Sequence, residues 1–150
     1  MTTDIMPAPA GRTPWHLWVV GLLALLWNAY GAYDYLMSNL QGDAYLRSAG
    51  MTEPQIAYFN AMPAWMTAVW AIGVWGGVLG SVLLLMRSKW AFHVFAASLA
   101  ALIVSLIYNF VLSNGREVMG SGALMYVVIT AGAVFFLWYA WVARQRGLLR

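Results

Sequence analysis

The chain has 150 residues, of which 63% are hydrophobic and 9% are charged, so it lies outside the composition of soluble globular domains and its expected solvent is lipid. It contains no cysteine, which excludes disulfides, thiolate metal sites and cysteine nucleophiles. The net charge of +3 comes from eight Lys and Arg against five acids, and these cations are scattered over loops and tails. They form no basic patch of the kind that binds nucleic acid.

Four continuous apolar stretches are long enough to cross a bilayer, because a helix needs about 20 residues to span about 30 Å of hydrocarbon. Their hydrophobicity does not alternate as in barrel strands, and a helix satisfies its own backbone in lipid. We therefore predict an all-α, single-domain polytopic membrane protein with a bundle of four transmembrane helices. The predicted spans cover residues 15–37, 63–86, 90–113 and 123–143.

The positions of the cations indicate an orientation for these spans. With four spans, the two tails and the second turn share one side, which carries Arg12, Arg87, Lys89, Arg144, Arg146 and Arg150, while the other side carries Arg47 and Arg116. Because cytoplasmic loops are enriched in Lys and Arg, we predict that both termini are cytoplasmic and that the membrane is the bacterial inner membrane. A cleaved signal peptide is the alternative for the first span, but that apolar run is long and ends in Trp, Tyr and Asn.

The first external loop, residues 38–62, carries the signals of a short helix. Thr52 and Gln55 have the spacing of a capping box, and Met51 and Ile56 have that of a hydrophobic staple. Pro54 suits the first helical turn. We predict a helix running to about residue 61 that lies on the outer membrane surface, with an ordinary structured loop as the alternative.

The second span is rich in glycine. Gly73, Gly76, Gly77 and Gly80 form two overlapping GxxxG pairs, and small residues let helix backbones approach closely in lipid. These glycines are therefore candidate helix-packing positions. The contact is either with a second copy of the chain or with the chain's own third span, where Ala97, Ala101 and Ser105 form a small-residue stripe.

Polar side chains inside the spans mark a candidate polar pocket in the outer half of the predicted bundle. Helical rise places these residues at similar depths: Asn28, Trp70, Tyr108, Asn109, Tyr126 and Thr130. Asp34, in the last turn of the first span, would lie at the mouth of the pocket, paired with Arg47 or Arg116, binding a cation or proton, or simply solvated. The competing interpretation is that these side chains only hydrogen-bond across helices. The heptad-spaced stripe Gly21, Ala24, Asn28, Gly31 and Tyr35 is expected to face protein.

No catalytic or cofactor motif occurs in a credible context. His16 and His93 begin two spans that run in the same direction, and two such histidines could ligate a haem iron, but each lies beside an interfacial Trp and close to water. We therefore predict a protein that is not an enzyme and has no cofactor or metal.

Several segments resemble a family of small four-span proteobacterial inner-membrane proteins that automated labels often call sugar transporters. The resemblance covers most of the chain and is carried by Trp27-Asn28 and by residues 62–65, 70–80, 83–87 and 144–150. It implies the four-span topology and carries over no catalytic or binding residue. Our leading expectation is a non-enzymatic structural or accessory component, with the lipid bilayer and either a homo-oligomer or a larger membrane complex as its partners. The alternative is a small-solute transporter that works as an oligomer.

The cation bias generates the first testable prediction, which concerns topology. In a chain without native cysteine, Asn39→Cys should react with a membrane-impermeant thiol reagent on intact cells, whereas Ser88→Cys should react only after permeabilisation. The opposite pattern of labelling would reverse the orientation.

Overall fold

A computed structural model describes residues 12–150 of the chain, and every regular element in that part is helical. The prediction of an all-α fold is therefore confirmed. Seven α-helices follow one another, namely α1 Trp15–Leu40, α2 Asp43–Ser48, α3 Glu53–Asn60, α4 Ala64–Leu85, α5 Trp90–Ile107, α6 Gly115–Met119 and α7 Ala123–Gln145. A π-helical turn, Tyr108–Leu112, continues α5, and a 3₁₀ turn, Gly120–Gly122, precedes α7.

Three helical stretches of the described chain are long and apolar enough to cross a membrane, namely Ala64–Leu85, Trp90–Leu112 and Gly115–Gln145. They cover the second, third and fourth predicted spans. Helix α1 has 26 residues but lies outside this set, because its Trp, Tyr, Asn and Asp side chains lower its mean hydropathy. Helices of this length and composition are compatible with a membrane protein.

The four long helices pack in chain order, α1 on α4, α4 on α5 and α5 on α7, while α1 and α7 make few contacts with each other. The helix array has two ends, and different connecting segments lie at each end. We call the end formed by residues 41–63 and 113–122 the loop end, and the end formed by residues 86–89 and 146–150 the turn end. The cluster of buried apolar side chains lies at the turn end and includes Leu17, Leu84, Phe95, Ala140 and Leu149.

Short helices cover the loop end. Helix α3 has the predicted capping box, in which the Thr52 side chain accepts from the Gln55 N–H and the Gln55 side chain accepts from the Thr52 N–H. Ile56 is buried by the chain itself, so the apolar side of α3 packs on protein. Helices α2 and α6 were not predicted, because neither segment has a capping motif or enough residues to show a helical period.

Close contacts at glycine join α4 to both of its neighbours. A Cβ atom at Gly80 would lie 2.7 Å from the Phe95 ring, and one at Gly76 would lie 3.3 Å from the Cβ of Ser98. Gly77 faces the other way, where a Cβ would overlap the Asn28 amide. Since residues three or four apart share a helix face, Gly76 and Gly80 meet α5 and the adjacent Gly77 meets α1.

The chain's last residues close the turn end. The Arg150 N–H donates to the Arg87 carbonyl at 2.6 Å, and the Lys89 N–H donates to the Arg150 carbonyl at 2.9 Å. Arg87 adopts a left-handed backbone conformation with φ of 59°, and its Nε donates to the Leu148 carbonyl at 3.0 Å. The tail therefore satisfies backbone groups of the α4–α5 turn and holds Arg87 in a conformation that non-glycine residues rarely adopt.

Comparison of two glycines of α4 tests the importance of this close packing. Gly77→Ala should lower the free energy of unfolding by about 1–3 kcal/mol, because the added methyl displaces Asn28 from its hydrogen bonds. Gly73→Ala is the matched control, since its Cβ would meet the Cβ of Ala101 at 3.9 Å, an ordinary contact. Thermal unfolding in mild detergent measures the difference. Equal melting temperatures would show that Gly77 has no special packing role.

Candidate functional site

The polar side chains of the long helices form two separate clusters. The first joins α1 to α4, where the Asn28 Nδ2 donates to the Ala24 carbonyl at 2.8 Å and to the Ser81 Oγ at 3.4 Å. The Ser81 hydroxyl in turn donates to the Gly77 carbonyl at 2.7 Å. Only the Asn28–Ser81 hydrogen bond joins the two helices, and a hydrogen bond of this kind contributes about 0.6–2 kcal/mol in a membrane. In this structure Asn28 therefore joins α1 to α4.

The second cluster surrounds Asn109, which lies in the π-helical turn and is fully buried. Its Nδ2 donates to the Ser105 carbonyl at 2.8 Å and lies 3.5 Å from the Tyr126 hydroxyl of α7. Its Oδ1 accepts a hydrogen bond of 2.7 Å from the Tyr58 hydroxyl of α3, which also lies 2.6 Å from the Ser113 Oγ. Both ends of the Asn109 amide thus have partners, and the amide joins three helices.

Helix α3 covers this Asn109 cluster and is held there at several points. A Cβ at Gly115 would lie 2.5 Å from the Tyr58 hydroxyl and 2.6 Å from the Asn109 carbonyl, so only glycine fits beside them. The Gln55 Nε2 donates to the Val118 carbonyl of α6 at 3.3 Å. Tyr58 and Gly115 complete the cluster. No spacing in the sequence indicates Tyr58, because it lies 51 residues before Asn109 in the chain. Gly115 lies close to Asn109 in the chain, but no motif marks it.

Aromatic side chains pack against one another near the loop end. Trp70 makes edge contacts with Tyr35 of α1 and Phe59 of α3, at centroid distances of 4.9 and 5.7 Å. Tyr108 stacks edge-on against Trp65 at 5.5 Å. Aromatic pairs of this kind contribute about 0.5–1.5 kcal/mol beyond the area they bury. Trp70 and Tyr108 therefore strengthen contacts between helices at the loop end.

Asp34 lies away from Asn109 and accepts a hydrogen bond of 2.8 Å from the Tyr45 hydroxyl of α2. This bond, with the negative charge of Asp34, raises the pKa of Tyr45 to about 12. Of the two arginines considered as partners for Asp34, Arg47 instead forms an exposed ion pair with Glu53, at 2.6 Å. That pair lowers the pKa of the Glu53 carboxyl and raises the pKa of the Arg47 guanidinium.

The structure does not gather the seven predicted pocket residues into one place. Asn109 and Tyr126 share a cluster, Tyr108 is the chain neighbour of Asn109, and the Thr130 hydroxyl donates to the Tyr126 carbonyl at 2.7 Å. Asn28, Trp70 and Asp34 lie in other contacts. The predicted residues that do lie near one another, Tyr108, Asn109, Tyr126 and Thr130, are found between α5 and α7 at the loop end.

Two cavities open beside α7. The α5–α7 groove has a volume of about 760 Å³, and its walls include Leu106, Phe110, Arg116, Tyr126, Thr130 and Ala131. The smaller α1–α7 groove, of about 270 Å³, is lined by Leu23, Trp27, Val128, Gly132 and Phe136. Both are lined mostly by apolar residues and are open to the exterior. They arise because α7 packs closely only on α5 and approaches α1 chiefly at the turn end.

The two histidines occupy different surroundings. The Nδ1 of His16 lies 2.5 Å from the Tyr139 hydroxyl, which joins α1 to α7 at the turn end. His93 is exposed beside Trp90 and Phe92. Within residues 12–150, no group of three or more His, Cys, Asp or Glu has the proximity of a metal site.

Comparison of the chain with protein-family models, with curated proteins and with solved structures gives no match.

Removal of one hydroxyl tests the Asn109 cluster. Tyr58→Phe should lower the free energy of unfolding by about 1–3 kcal/mol, because it leaves the buried Asn109 Oδ1 without its donor. Tyr30→Phe is the control, since Tyr30 is 70% exposed. Amide hydrogen exchange across α3 should also quicken in Tyr58→Phe alone. If α3 exchanges equally in both variants, Tyr58 does not hold α3 in place.

Proposed function

We propose that the chain is a four-span protein of the bacterial inner membrane, with both termini in the cytoplasm, that acts as a non-enzymatic component of a larger membrane assembly. Helices α4, α5 and α7 are apolar enough to span. Helix α1 is the fourth span in this proposal. Its 26 residues extend about 39 Å, more than the hydrocarbon thickness.

The exposed side of α1 supports its placement in lipid. Leu22, Leu23 and Leu26 are each more than half exposed, while the opposite side packs on α4. There the space beside Gly21 meets Leu85 and that beside Gly31 meets Val74. A helix with apolar residues on its free face and small residues on its packed face is suited to the edge of a membrane domain.

The distribution of charge supports the orientation. The turn end carries Arg87, Lys89, Arg146 and Arg150, and the loop end carries Arg47 and Arg116. Arg47 is paired with Glu53, so the free positive charge of the loop end is smaller still. A positive turn end fits the cytoplasmic side.

One observation supports the accessory function most directly. Polar side chains inside the helix array are engaged with the protein itself, whereas the outer sides of the array carry apolar grooves. The polar side chains inside the array hydrogen-bond to the protein itself, as Asn28, Ser81 and Asn109 do. The two grooves beside α7 are lined mostly by apolar residues and are open to the exterior, toward whatever lies next to the protein in the membrane. Such an arrangement offers surfaces to neighbours in the bilayer instead of a polar route between helices.

The alternative function is transport of a small, sugar-like solute by an oligomer. The Asn109 cluster and its cover by α3 favour this alternative, because a polar cluster under a short helix at one membrane face resembles a gated site. A path across the membrane would require a second copy of the chain, since four helices rarely enclose one.

Affinity purification from the native membrane tests the accessory role. The wild-type chain in mild detergent should bring down a defined set of membrane proteins in fixed stoichiometry. Gly132→Phe, which fills the α1–α7 groove, should weaken that association at least tenfold. Ile72→Phe, at a 55% exposed position of α4, should leave it unchanged.

Two results would contradict the accessory role. One is a chain that purifies alone at every detergent concentration. The other is uptake of neutral monosaccharides by liposomes that contain only this chain, which would favour the transport alternative.

A further inference from the structure

The α5–α7 groove combines apolar walls with a cation at one end. Leu106 and Phe110 of the α5 side and Leu124 and Val127 of α7 line its length, and Arg116 lines it at the loop end. Arg116 forms no ion pair within residues 12–150. Glu117 follows it in α6 but is not part of the groove's lining. The groove thus has one unpaired charge, placed where a membrane interface would be.

The length of the groove matches the depth of one lipid leaflet. Its α7 wall extends from Ala123 to Ala131, which at 1.5 Å per residue is about 12 Å. Half of the hydrocarbon thickness is about 15 Å. A lipid acyl chain that enters the groove beside Arg116 would therefore end near the bilayer midplane.

Several residues that line the groove are small. Gly120 of the 3₁₀ turn and Ala123 and Ala131 of α7 line the groove, and these small residues leave room between the two walls. The π-helical turn contains Phe110, which forms part of the opposite wall. Leu124 and Val127 are 68% and 65% exposed, so the groove is open on the side that faces lipid.

We propose that this groove binds an anionic phospholipid, with one acyl chain along α7 and the phosphate at Arg116. The inference rests on the membrane placement proposed above. The groove's volume of about 760 Å³ lies within the range of small-ligand sites. Charge complementarity selects an anionic headgroup over a neutral one.

Native mass spectrometry of the full chain tests the proposal. The protein is placed in nanodiscs of phosphatidylcholine and phosphatidylglycerol in equal amounts, and the lipids retained on release are counted. The wild type should retain phosphatidylglycerol preferentially. Arg116→Gln should lower that preference about fivefold, the typical effect of one cation at a membrane surface. Arg47→Gln removes an equal charge from the same end and should change nothing.

A second pair of variants tests the apolar part of the groove. Ala131→Phe should abolish lipid retention whatever the headgroup, whereas Val134→Phe, at an exposed α7 position outside the groove, should retain it. If Ala131→Phe melts below the wild type, Val127→Trp replaces it, because Val127 lines the groove and is exposed.

Three outcomes would overturn the lipid site. They are equal losses in Arg116→Gln and Arg47→Gln, full lipid retention in Ala131→Phe, or a wild-type dimer that Ala131→Phe converts to a monomer. Failure of the chain to enter nanodiscs would instead contradict the membrane placement. A wild type that co-purifies its protein partners but retains both phospholipids equally would contradict the lipid site alone.

Discussion

The close approach of α4 to its two neighbours is the contact on which the rest of the structure depends. Gly76 and Gly80 bring α4 against Ser98 and Phe95 of α5, while Gly77 brings it against Asn28 of α1. In lipid, where apolar side chains gain little from meeting one another, such backbone proximity and the hydrogen bonds it permits supply the association. Three helices are fixed in this way. The glycine of α7 that faces α1 makes only an ordinary contact, since a Cβ at Gly132 would lie 3.7 Å from Trp27 Nε1. Helix α7 therefore packs mainly on α5 and leaves a groove on each side.

The buried polar groups obey the same constraint. An amide that lacks a partner in a low-dielectric interior costs about 1–3 kcal/mol, and Asn109 avoids that cost by accepting from Tyr58 and donating to Ser105. One consequence is that α3, a short helix outside the spans, becomes part of the packed domain. The loop end is therefore ordered by a hydrogen bond that reaches into the membrane-spanning part of the chain.

The grooves beside α7 connect packing with function. Because α4 and α5 take up the tight contacts, the apolar surface of α7 is left for lipid or for another protein, and the proposed functions use that surface. The accessory role places a neighbouring subunit against the α1–α7 groove, and the proposed lipid site lies in the α5–α7 groove. The two proposals therefore concern opposite sides of α7, and both can hold for the same protein.

The sequence alone determined the helical class, the positions of the three most apolar spans, the capping box at Thr52 and the protein-facing stripe of α1. Each of these follows from local composition or from spacing along one helix. It also singled out Gly77, Asn28 and Asn109 as unusual in a lipid setting. Only the tertiary structure decided which of these meet, because contact depends on the rotation and approach of separate helices. It paired Gly77 with Asn28, brought Tyr58 to Asn109, turned Asp34 to Tyr45, and opened the grooves beside α7.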